Sequence, residues 1–473
     1  MPAFPPIPDP LEAYAARFDD LFSRATQRAA FRHYLAGLLL PAERNKTLTA
    51  LAHTEPVVGA QHPAAQRLQW FLSESTWEAA AVTARRLELL QTEPATAPHA
   101  GGVLIVDETG DRKDGSKTAH VGRQYLGNRG KIENGVVSVG SLWADEGVYY
   151  PLAVAPYTPE RWFAAGKADP AFRTKPQLAL ELVDQTLAAD WPFRAVVADC
   201  LYGEHHGFTS GLQARGVPYV VALKPSHAWW APVEAIGAVW EVAEQAVWDG
   251  PEQPGDWVPV ERRFRDGHAT TWWALEGVAG PYGPDRSRRL VIATPDPATL
   301  PEAATWYLET TLPRPEASLA EIVRLYALRN WVEQAYKQVK QSLGWSHYQV
   351  RSDVAMRRHW ALVQCAFAFC WGADRHSAPP ATAAAERAAP DEAASPGEAA
   401  PGERGKKGVT SGPGSSVAPV VALLARGAAA GAGVVGAGIP PVALLAGVVE
   451  SAPTTRAAGA ARLAAPRPPA QPL

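Results

Sequence analysis

Two acidic residues stand at the ends of apolar runs, where they could hold divalent metal ions. Asp107 ends the run that begins at Gly101, and Asp199 ends the run that begins at Arg194. Such runs predict buried strands, and parallel pairing of the two strands would place the carboxylates side by side. Close carboxylates repel each other unless one is protonated or a cation lies between them, and hard oxygen ligands favour Mg²⁺ or Mn²⁺. Taken by themselves, both residues are explained more simply as aspartates of a loop or a helix cap.

A third carboxylate, Glu333, lies in a segment of helical periodicity, residues 318–343, which predicts one long helix. At about 100° per residue, a stripe of roughly 60° on one helix face combines this acid with basic and aromatic residues. The stripe consists of Tyr326, Arg329, Glu333 and Lys340, and Lys337 joins it at one edge. A carboxylate among cations suits a site that binds metal and phosphate together. The alternative is an ordinary helix surface, since Arg329 and Glu333 have the i, i+4 spacing of an ion pair.

The charge distribution favours a nucleic acid near this helix rather than over the whole chain. The net charge of the chain is −3, which provides no general basic field. Between Glu321 and Trp360, however, seven Lys and Arg against three acids give a net charge of +4, as contact with a DNA backbone requires. The segment after Asp107 is also rich in basic residues, although acids there nearly cancel them. Its basic residues are Arg112, Lys113, Lys117, Arg123, Arg129 and Lys131.

The first part of the chain, residues 11–95, has helical periodicity. Four arginines recur there at spacings of seven and four, which would place them near one side of a helix. They are Arg17, Arg24, Arg28 and Arg32. Two interpretations remain open for this row, a solvated helix face and a face that contacts phosphates.

The elements that position the three carboxylates predict an α/β protein. Apolar runs and helical periodicity give the order strand, strand, strand, helix, strand, helix, strand. The corresponding residues are 101–107, 135–143, 147–156, 176–190, 194–199, 206–215 and 218–224. Residues 225–315 hold eight tryptophans and strand-like stretches, which predicts a β-rich insertion. The helix with Glu333 follows, and a further helix is predicted from Asp353 to about Trp371.

The end of the chain has a different composition. All 42 Trp, Tyr and Phe residues lie at or before Trp371, and residues 376–473 consist mostly of Ala, Gly and Pro, so a disordered tail is predicted. The uncharged stretch 427–449 is long enough to span a membrane, but its glycines and its Pro-Pro pair argue against a spanning helix, and no membrane partner is expected. Three scattered cysteines and an N-terminus unlike a secretory signal indicate a cytoplasmic protein without a disulfide framework or a zinc site.

These motifs resemble those of the DDE superfamily of bacterial insertion-sequence transposases, in particular the cut-and-paste type. Tyr326, Arg329, Glu333 and Lys340 match all four positions of that group's Tyr-x2-Arg-x3-Glu-x6-Lys signature. Three further segments resemble the family's first-Asp motif, its Gln-Tyr-x-Gly block and its second-Asp motif. They are residues 107–110, 123–134 and 197–203, and the resemblance as a whole covers about residues 30–371.

The resemblance implies a ribonuclease H-like catalytic domain that a β-rich insertion interrupts. The catalytic domain would comprise residues 101–224 and 316–373, and the insertion residues 225–315. A helical DNA-binding domain, residues 11–97, would precede it, and the disordered low-complexity tail 376–473 would follow. Core packing explains the tryptophans of the insertion more simply than contact with a flipped base.

The resemblance also implies a transposase in which Asp107, Asp199 and Glu333 hold two Mg²⁺ (or Mn²⁺) ions. Such an enzyme cleaves transposon ends and joins the freed 3′-hydroxyl to target DNA, as a homodimer on DNA in the bacterial nucleoid. The predicted phosphate-binding residues are Tyr326, Arg329, Lys337, Lys340, Arg112, Lys113, Arg123 and Lys131. Two alternatives remain open, a catalytically silent DNA-binding relative that acts as a regulator, and a metal-dependent endonuclease without strand transfer.

Overall fold

The structure of the chain is a computed structural model that describes residues 7–41, 44–230, 236–264, 268–277 and 288–376. Nearly all of the predicted tail, from residue 377 onward, lies outside the described residues, as does the stretch 427–449. Among the helices of the described part, none is long and apolar enough to cross a membrane.

The residues before the sheet are helical, as the periodicity predicts. Five helices pack their apolar sides together, and Phe18, Phe31 and Phe71 are fully buried between them. The helices are α1 (Asp9–Ala16), α2 (Ala25–Leu39), α3 (Leu48–Leu51), α4 (Pro63–Ser73) and α5 (Ala79–Thr92).

The prediction that four arginines line one helix is wrong. A short 3-10 turn, Asp19–Leu21, separates α1 from α2, so that Arg17 and Arg24 lie outside both helices. Arg32 makes ion pairs with Glu12 and Asp19, at 2.7 and 2.6 Å. A spacing of seven therefore does not describe one helix face here, because the chain turns between the first two arginines.

A mixed sheet of ten described strands forms the centre of the protein, in the order β2-β3-β1-β5-β6-β12-β11-β10-β9, with β4 also paired to β3. β1 and β5 pair in parallel, as do β5 and β6, and the other pairs are antiparallel. The first six strands are β1 (Val103–Arg112), β2 (Gly122–Leu126), β3 (Lys131–Ala144), β4 (Tyr149–Tyr157), β5 (Ala195–Ala198) and β6 (Tyr219–Ala222). The fold is thus mixed α/β with a large mixed sheet.

β1 is longer than its apolar run, so the prediction that Asp107 ends the strand is wrong. The strand continues for five residues, because β3 supplies hydrogen-bonding partners along the whole length, from Val103↔Ala144 to Arg112↔Gly135. β3 itself begins at Lys131, and β2 before it was not predicted. The polar sequence of these segments hides their pairing, because the backbone hydrogen bonds that extend a strand do not require apolar side chains.

The strands predicted within residues 225–315 are present, and four of them extend the main sheet. β12 pairs antiparallel with β6, with Leu308 opposite Ala222. These four are β9 (Val258–Arg263), β10 (Ala269–Gly277), β11 (Arg289–Thr294) and β12 (Trp306–Thr310). A separate pair, β7 (Ala228–Trp230) and β8 (Ile236–Ala238), precedes helix α9 (Val239–Glu244). The sheet is continuous across the predicted boundary, and the division into domains stays a prediction.

One helix precedes β5, two lie between β5 and β6, and three more end the described chain. The first three are α6 (Lys175–Ala188), α7 (Cys200–Gly203) and α8 (His206–Ala214). The last three are α10 (Leu319–Ala327), α11 (Asn330–Gln341) and α12 (Asp353–His376). α6 begins with a capping box in which Thr174 accepts from the Gln177 backbone N–H.

The prediction of one helix over residues 318–343 is wrong, because the segment is two helices. The N–H of Arg329 donates to the carbonyl of Tyr326, three residues back, at 3.0 Å, where a continuous α-helix would bond four residues back. No Gly or Pro marks the break. On either side, Tyr326 packs on Trp306 and Trp331 stacks on Tyr149, with ring centroids 4.9 and 4.4 Å apart. The uniform step of 100° therefore does not place Tyr326 on the face of Glu333.

Candidate active site

Parallel pairing brings the two aspartates together, as the sequence predicts. Val106 lies opposite Ala198 in the β1–β5 ladder, so that Asp107 and Asp199 come next on adjacent chains. Asp107 is 8% exposed and accepts a hydrogen bond from the backbone N–H of Glu108 at 2.7 Å. Asp199 caps the short helix α7 by accepting from the N–H of Leu201 at 3.0 Å. Both carboxylates are held from the backbone, with oxygens left over for another partner.

The guanidinium of Arg329 lies among the three predicted carboxylates. Its Nη2 is 3.4 Å from Asp107 Oδ2 and 3.7 Å from Asp199 Oδ2, and its Nη1 is 3.3 Å from Glu333 Oε1. The side chain of Glu333 is 60% exposed, whereas that of Arg329 is only 18% exposed. The break between α10 and α11 places Arg329 at the first residue before α11, from where it reaches back over both strands. One cation thus connects the three acids.

Burial dominates the electrostatics of Asp107. It raises the pKa of the Asp107 carboxyl to about 7; Arg329 opposes this rise and the charge of Asp199 adds to it. Burial by itself would lower the pKa of Arg329, but the neighbouring carboxylates outweigh it and raise that pKa. The site therefore favours positive charge next to Asp107.

Tyr336 belongs to the site, although it was not predicted. Its hydroxyl donates to the backbone carbonyl of Asp107 at 3.1 Å. A Cβ at position 140 would lie 2.8 Å from that hydroxyl, so glycine is required on β3 for the ring to reach β1. The available signal was its position three residues after Glu333, which makes the two side chains neighbours on the surface of α11.

Lys340 contacts the protein rather than an open surface. Its Nζ donates to the carbonyl of Gly110 at 2.8 Å and lies 2.9 Å from Asp111 Oδ1, and the Asp111 side chain is 2% exposed. Together with Tyr336, Lys340 fastens α11 along β1. Glu333 lies on the same helix, so these two contacts also fix the position of Glu333 relative to Asp107.

The other predicted phosphate-binding residues differ in exposure: one is turned inward, one is partly buried and four are exposed. Lys113 faces inward: its Nζ lies 3.4 Å from the ring centroid of Tyr348 and donates to the carbonyl of Ser346 at 3.0 Å, and burial lowers its pKa to about 8. Tyr326 is partly buried against Trp306, and burial raises its pKa to about 12. The remaining four are exposed, Lys337 on α11, Arg112 at the end of β1, and Arg123 and Lys131 on β2 and β3.

The aromatic-Gly pair of the second-Asp motif has a structural explanation. Tyr202 is fully buried, and a Cβ at Gly203 would lie 2.0 Å from the carbonyl oxygen of Ala222 in β6. Only glycine allows α7 to approach β6 this closely. The close approach fixes the start of α7, and with it the capping residue Asp199.

No group of three or more His, Cys, Asp or Glu side chains close enough to hold a metal ion occurs within the residues that the structure describes. The three predicted ligands are connected through Arg329 instead. Even so, the donor set suits a divalent ion, because hard carboxylate oxygens from two strands and a helix already surround one cationic group.

Comparison with known proteins agrees with these motifs. Residues 17–277 match the model of a family described as DDE superfamily endonuclease, a match that contains Asp107 and Asp199 and ends before Glu333. Over 341 residues the chain is 33% identical to the "Probable transposase for insertion sequence element IS701" of Microchaete diplosiphon, which covers 72% of this chain and 81% of that protein. On both grounds, the chain belongs to the DDE superfamily of endonucleases and resembles its insertion-sequence transposases.

Proposed function

We propose that this protein is a transposase that cleaves DNA at transposon ends with the help of divalent metal ions. The observation that carries the proposal is the convergence of Asp107, Asp199 and Glu333 on one guanidinium, at 3.3 to 3.7 Å. The family and its insertion-sequence relative support the choice of DNA as substrate. The strand order β4-β3-β1-β5-β6, with β1, β5 and β6 parallel, supports a ribonuclease H-like catalytic fold.

Asp107, Asp199 and Glu333 would hold two Mg²⁺ (or Mn²⁺) ions. The chemistry supplied by the bound ions is activation of a water molecule or a DNA 3′-hydroxyl for in-line attack on phosphorus, with stabilisation of the leaving oxygen. Arg329 balances the carboxylates without metal. Its sequence-predicted role in phosphate binding requires the guanidinium to turn from the carboxylates toward DNA.

The remaining residues of the site act by positioning. Tyr336 holds the β1 backbone at Asp107, and Lys340 holds α11 against Gly110 and Asp111. Lys337, which is exposed on α11, would contact a phosphate beside Glu333. In the complete reaction the freed 3′-hydroxyl attacks target DNA in the nucleoid, and synapsis of two ends uses a homodimer.

The test is cleavage of the element's own end DNA by the purified chain with Mg²⁺. Asp107→Asn, Asp199→Asn and Glu333→Gln should each lower the cleavage rate by at least about a thousandfold, because each removes a charged ligand from the reacting centre. Asp114→Asn is the matched control, since that side chain is 85% exposed in the segment after β1. Full activity in any of the three variants would remove that residue from the site.

A strand-transfer assay separates the remaining functions. A transposase joins the cleaved end to a target plasmid, whereas a plain endonuclease produces only cut ends. Binding of end DNA with no cleavage by the wild-type chain would contradict the proposal and favour a regulator.

A further inference from the structure

The Gln-Tyr-x-Gly block lies on a hairpin whose two faces differ. The β2–β3 hairpin, residues 122–135, turns through Gly127–Arg129 and Gly130, which has a φ of +64° that only glycine adopts readily. On one face, Gln124 donates to the carbonyl of Gly135 at 3.0 Å, and Leu126 is fully buried. Packing within the protein therefore explains Gln124 and Leu126, the residues of the block that lie on this face.

The other face of the hairpin has no comparable packing. Tyr125 and Ile132 lie opposite each other in the ladder and are 54% and 59% exposed. Arg123, next on the same face, is exposed and has no ion-pair partner among the described residues. A cross-strand apolar pair with this exposure is unusual for a sheet surface that only meets water.

This open face is on the same side of the sheet as the carboxylates. Side chains alternate along a strand, and partners across a ladder share a side. Asp107 is opposite Gly140, and the ladder runs without a shift to Arg112↔Gly135. Ile132 is eight residues along β3 from Gly140, so it points to the side of Asp107, about 27 Å away. A duplex lying over α11, which covers this side of the sheet beside Asp107 and Asp111, would place the hairpin roughly eight base pairs from the carboxylates, at ~3.4 Å per base pair.

The charge of the hairpin suits DNA. Residues 122–135 hold three Lys and Arg against one acid, a net charge of +2 in a chain of net charge −3. Arg129 and Lys131 share one acid, Glu133, at 3.4 and 3.0 Å. A second copy of the chain placed on this face would bring like charges together, whereas a phosphate backbone would neutralise them.

We propose that the β2–β3 hairpin is an arm that binds the duplex cut at the carboxylates, about eight base pairs from the scissile phosphate. Arg123 and the turn residue Arg129 contact phosphates, and the pair Tyr125 and Ile132 lies in the minor groove, where apolar side chains can pack on sugars and base steps. Lys131, opposite Leu126 in the ladder, lies on the packed face instead. The choice of DNA as occupant rests on the proposed function. The arm would lengthen the DNA site beyond the catalytic centre.

Binding to two duplexes of different length tests the arm. One duplex ends about four base pairs on each side of the cleavage position, and the other extends about fifteen, so that only the second reaches the hairpin. Affinity is measured by fluorescence anisotropy with Ca²⁺ in place of Mg²⁺, over a series of salt concentrations. The double variant Arg123→Gln with Tyr125→Ser should bind the long duplex about tenfold more weakly and the short one unchanged. The slope of its log affinity against log salt concentration should be smaller in magnitude by about 0.9 than that of the wild type.

The control variant is Arg173→Gln with Leu187→Ser, which removes an exposed arginine and an exposed leucine beside α6. That helix faces the other side of the sheet, where its Lys175 pairs with Glu108 at 2.7 Å. Thermal midpoints confirm that both double variants fold. The control should bind both duplexes as the wild type does.

Equal affinity of wild type and Arg123→Gln/Tyr125→Ser for the long duplex would contradict the proposal that the hairpin binds DNA. An equal loss on both duplexes would also overturn it, because the contact would then not be distant. Unchanged DNA affinity with a lost dimer in sedimentation would assign the face to a second copy. Cleavage with Mg²⁺ is measured separately. If the wild type does not cleave, but the double variant still binds only the long duplex more weakly, the proposed nuclease activity is contradicted and the proposed DNA contact of the hairpin is not.

Discussion

Two enclosed arginines near the C-terminal helices are held in very different ways. Arg358 of α12 is 4% exposed and donates to the carbonyls of Leu72, Ser75 and Trp77 at 2.6 to 2.8 Å. Arg329 faces carboxylates at 3.3 to 3.7 Å, beyond the usual range of N–H···O hydrogen bonds. An arginine that saturates backbone carbonyls is part of the fold. For one that rests loosely among acids, we expect that another cation can take its place.

The region around Arg358 joins the N-terminal helices to α12. The hydroxyl of Tyr34 lies 2.8 Å from Nδ1 of His359, whose Nε2 is 3.1 Å from the carbonyl of Gly344. Because a carbonyl only accepts, Nε2 carries the proton and Nδ1 accepts from Tyr34. The contacts of this interface are short and buried, whereas the carboxylate end of the sheet gathers three acids around one guanidinium.

The largest expected effect is on stability at Arg358. Arg358→Met should lower the free energy of unfolding by about 3–5 kcal/mol, since it leaves three buried carbonyls unpaired, and Mg²⁺ should not restore it. Arg329→Met should cost about 1 kcal/mol, and millimolar Mg²⁺ should restore it by binding the native carboxylates. Urea unfolding with and without Mg²⁺ measures both. Equal losses of unfolding free energy in the two variants, with and without Mg²⁺, would show that the two arginines are held in the same way.

The next effect is the pH dependence of the closed interface. Burial lowers the pKa of His359 to about 3, from an ordinary value near 6.5. The folded chain thus keeps this histidine neutral while the unfolded chain protonates it, so stability is complete above about pH 6.5 and is lost as the pH falls toward 3. Between pH 7 and 4 the loss should be about 3 kcal/mol. His33, with its pKa lowered by burial to about 4, adds a loss of the same sign.

His359→Gln isolates this contribution. The variant should be less stable at neutral pH but lose less stability on acidification than the wild type. Parallel curves of unfolding free energy against pH for the two proteins would show that His359 is not the group that titrates.

A smaller effect concerns metal affinity without DNA. If Arg329 competes with metal, Arg329→Met should bind Mn²⁺ roughly tenfold more tightly than the wild type, as measured by calorimetry. Arg324→Met is the matched control, because Arg324 pairs with Glu146 and Glu321 away from the three carboxylates. Unchanged or weaker Mn²⁺ binding in the Arg329 variant would show that the guanidinium does not occupy the place of the ion.

The smallest effect separates the two lysines of α11. Lys337→Ala should make the salt dependence of DNA binding shallower by about 0.9 and leave stability unchanged, because Lys337 is exposed. Lys340→Ala should instead lower the free energy of unfolding by about 1–3 kcal/mol, since Asp111 would lose its buried partner. The reverse result would return Lys340 to the DNA-binding role that its place in the family signature predicts.

Much of the site followed from local pattern. The apolar runs before Asp107 and Asp199 predict strands, and parallel pairing then makes the two residues neighbours, as observed. The helical period predicts that Glu333 stands on a helix, which it does. These inferences succeed because the burial of alternating or continuous apolar residues is encoded within a few positions of the chain.

The partners of the long cationic side chains did not follow from the sequence. Lys113 and Lys340 turn inward to Tyr348 and Asp111, while Arg329 turns to the carboxylates across a break in its helix. A lysine or arginine can reach any acceptor within several ångströms, so its partner depends on which segments meet in space.

The sequence by itself therefore determined most of the elements and the chemical identity of the three acids, because both depend on residue type and short-range period. The tertiary structure alone decided that β1 continues past Asp107, that the helix before Glu333 breaks, and that Arg329 joins the three acids. Each of these depends on a contact with a distant segment, from β3, from Trp306 or from Asp199, and no local pattern records such a contact.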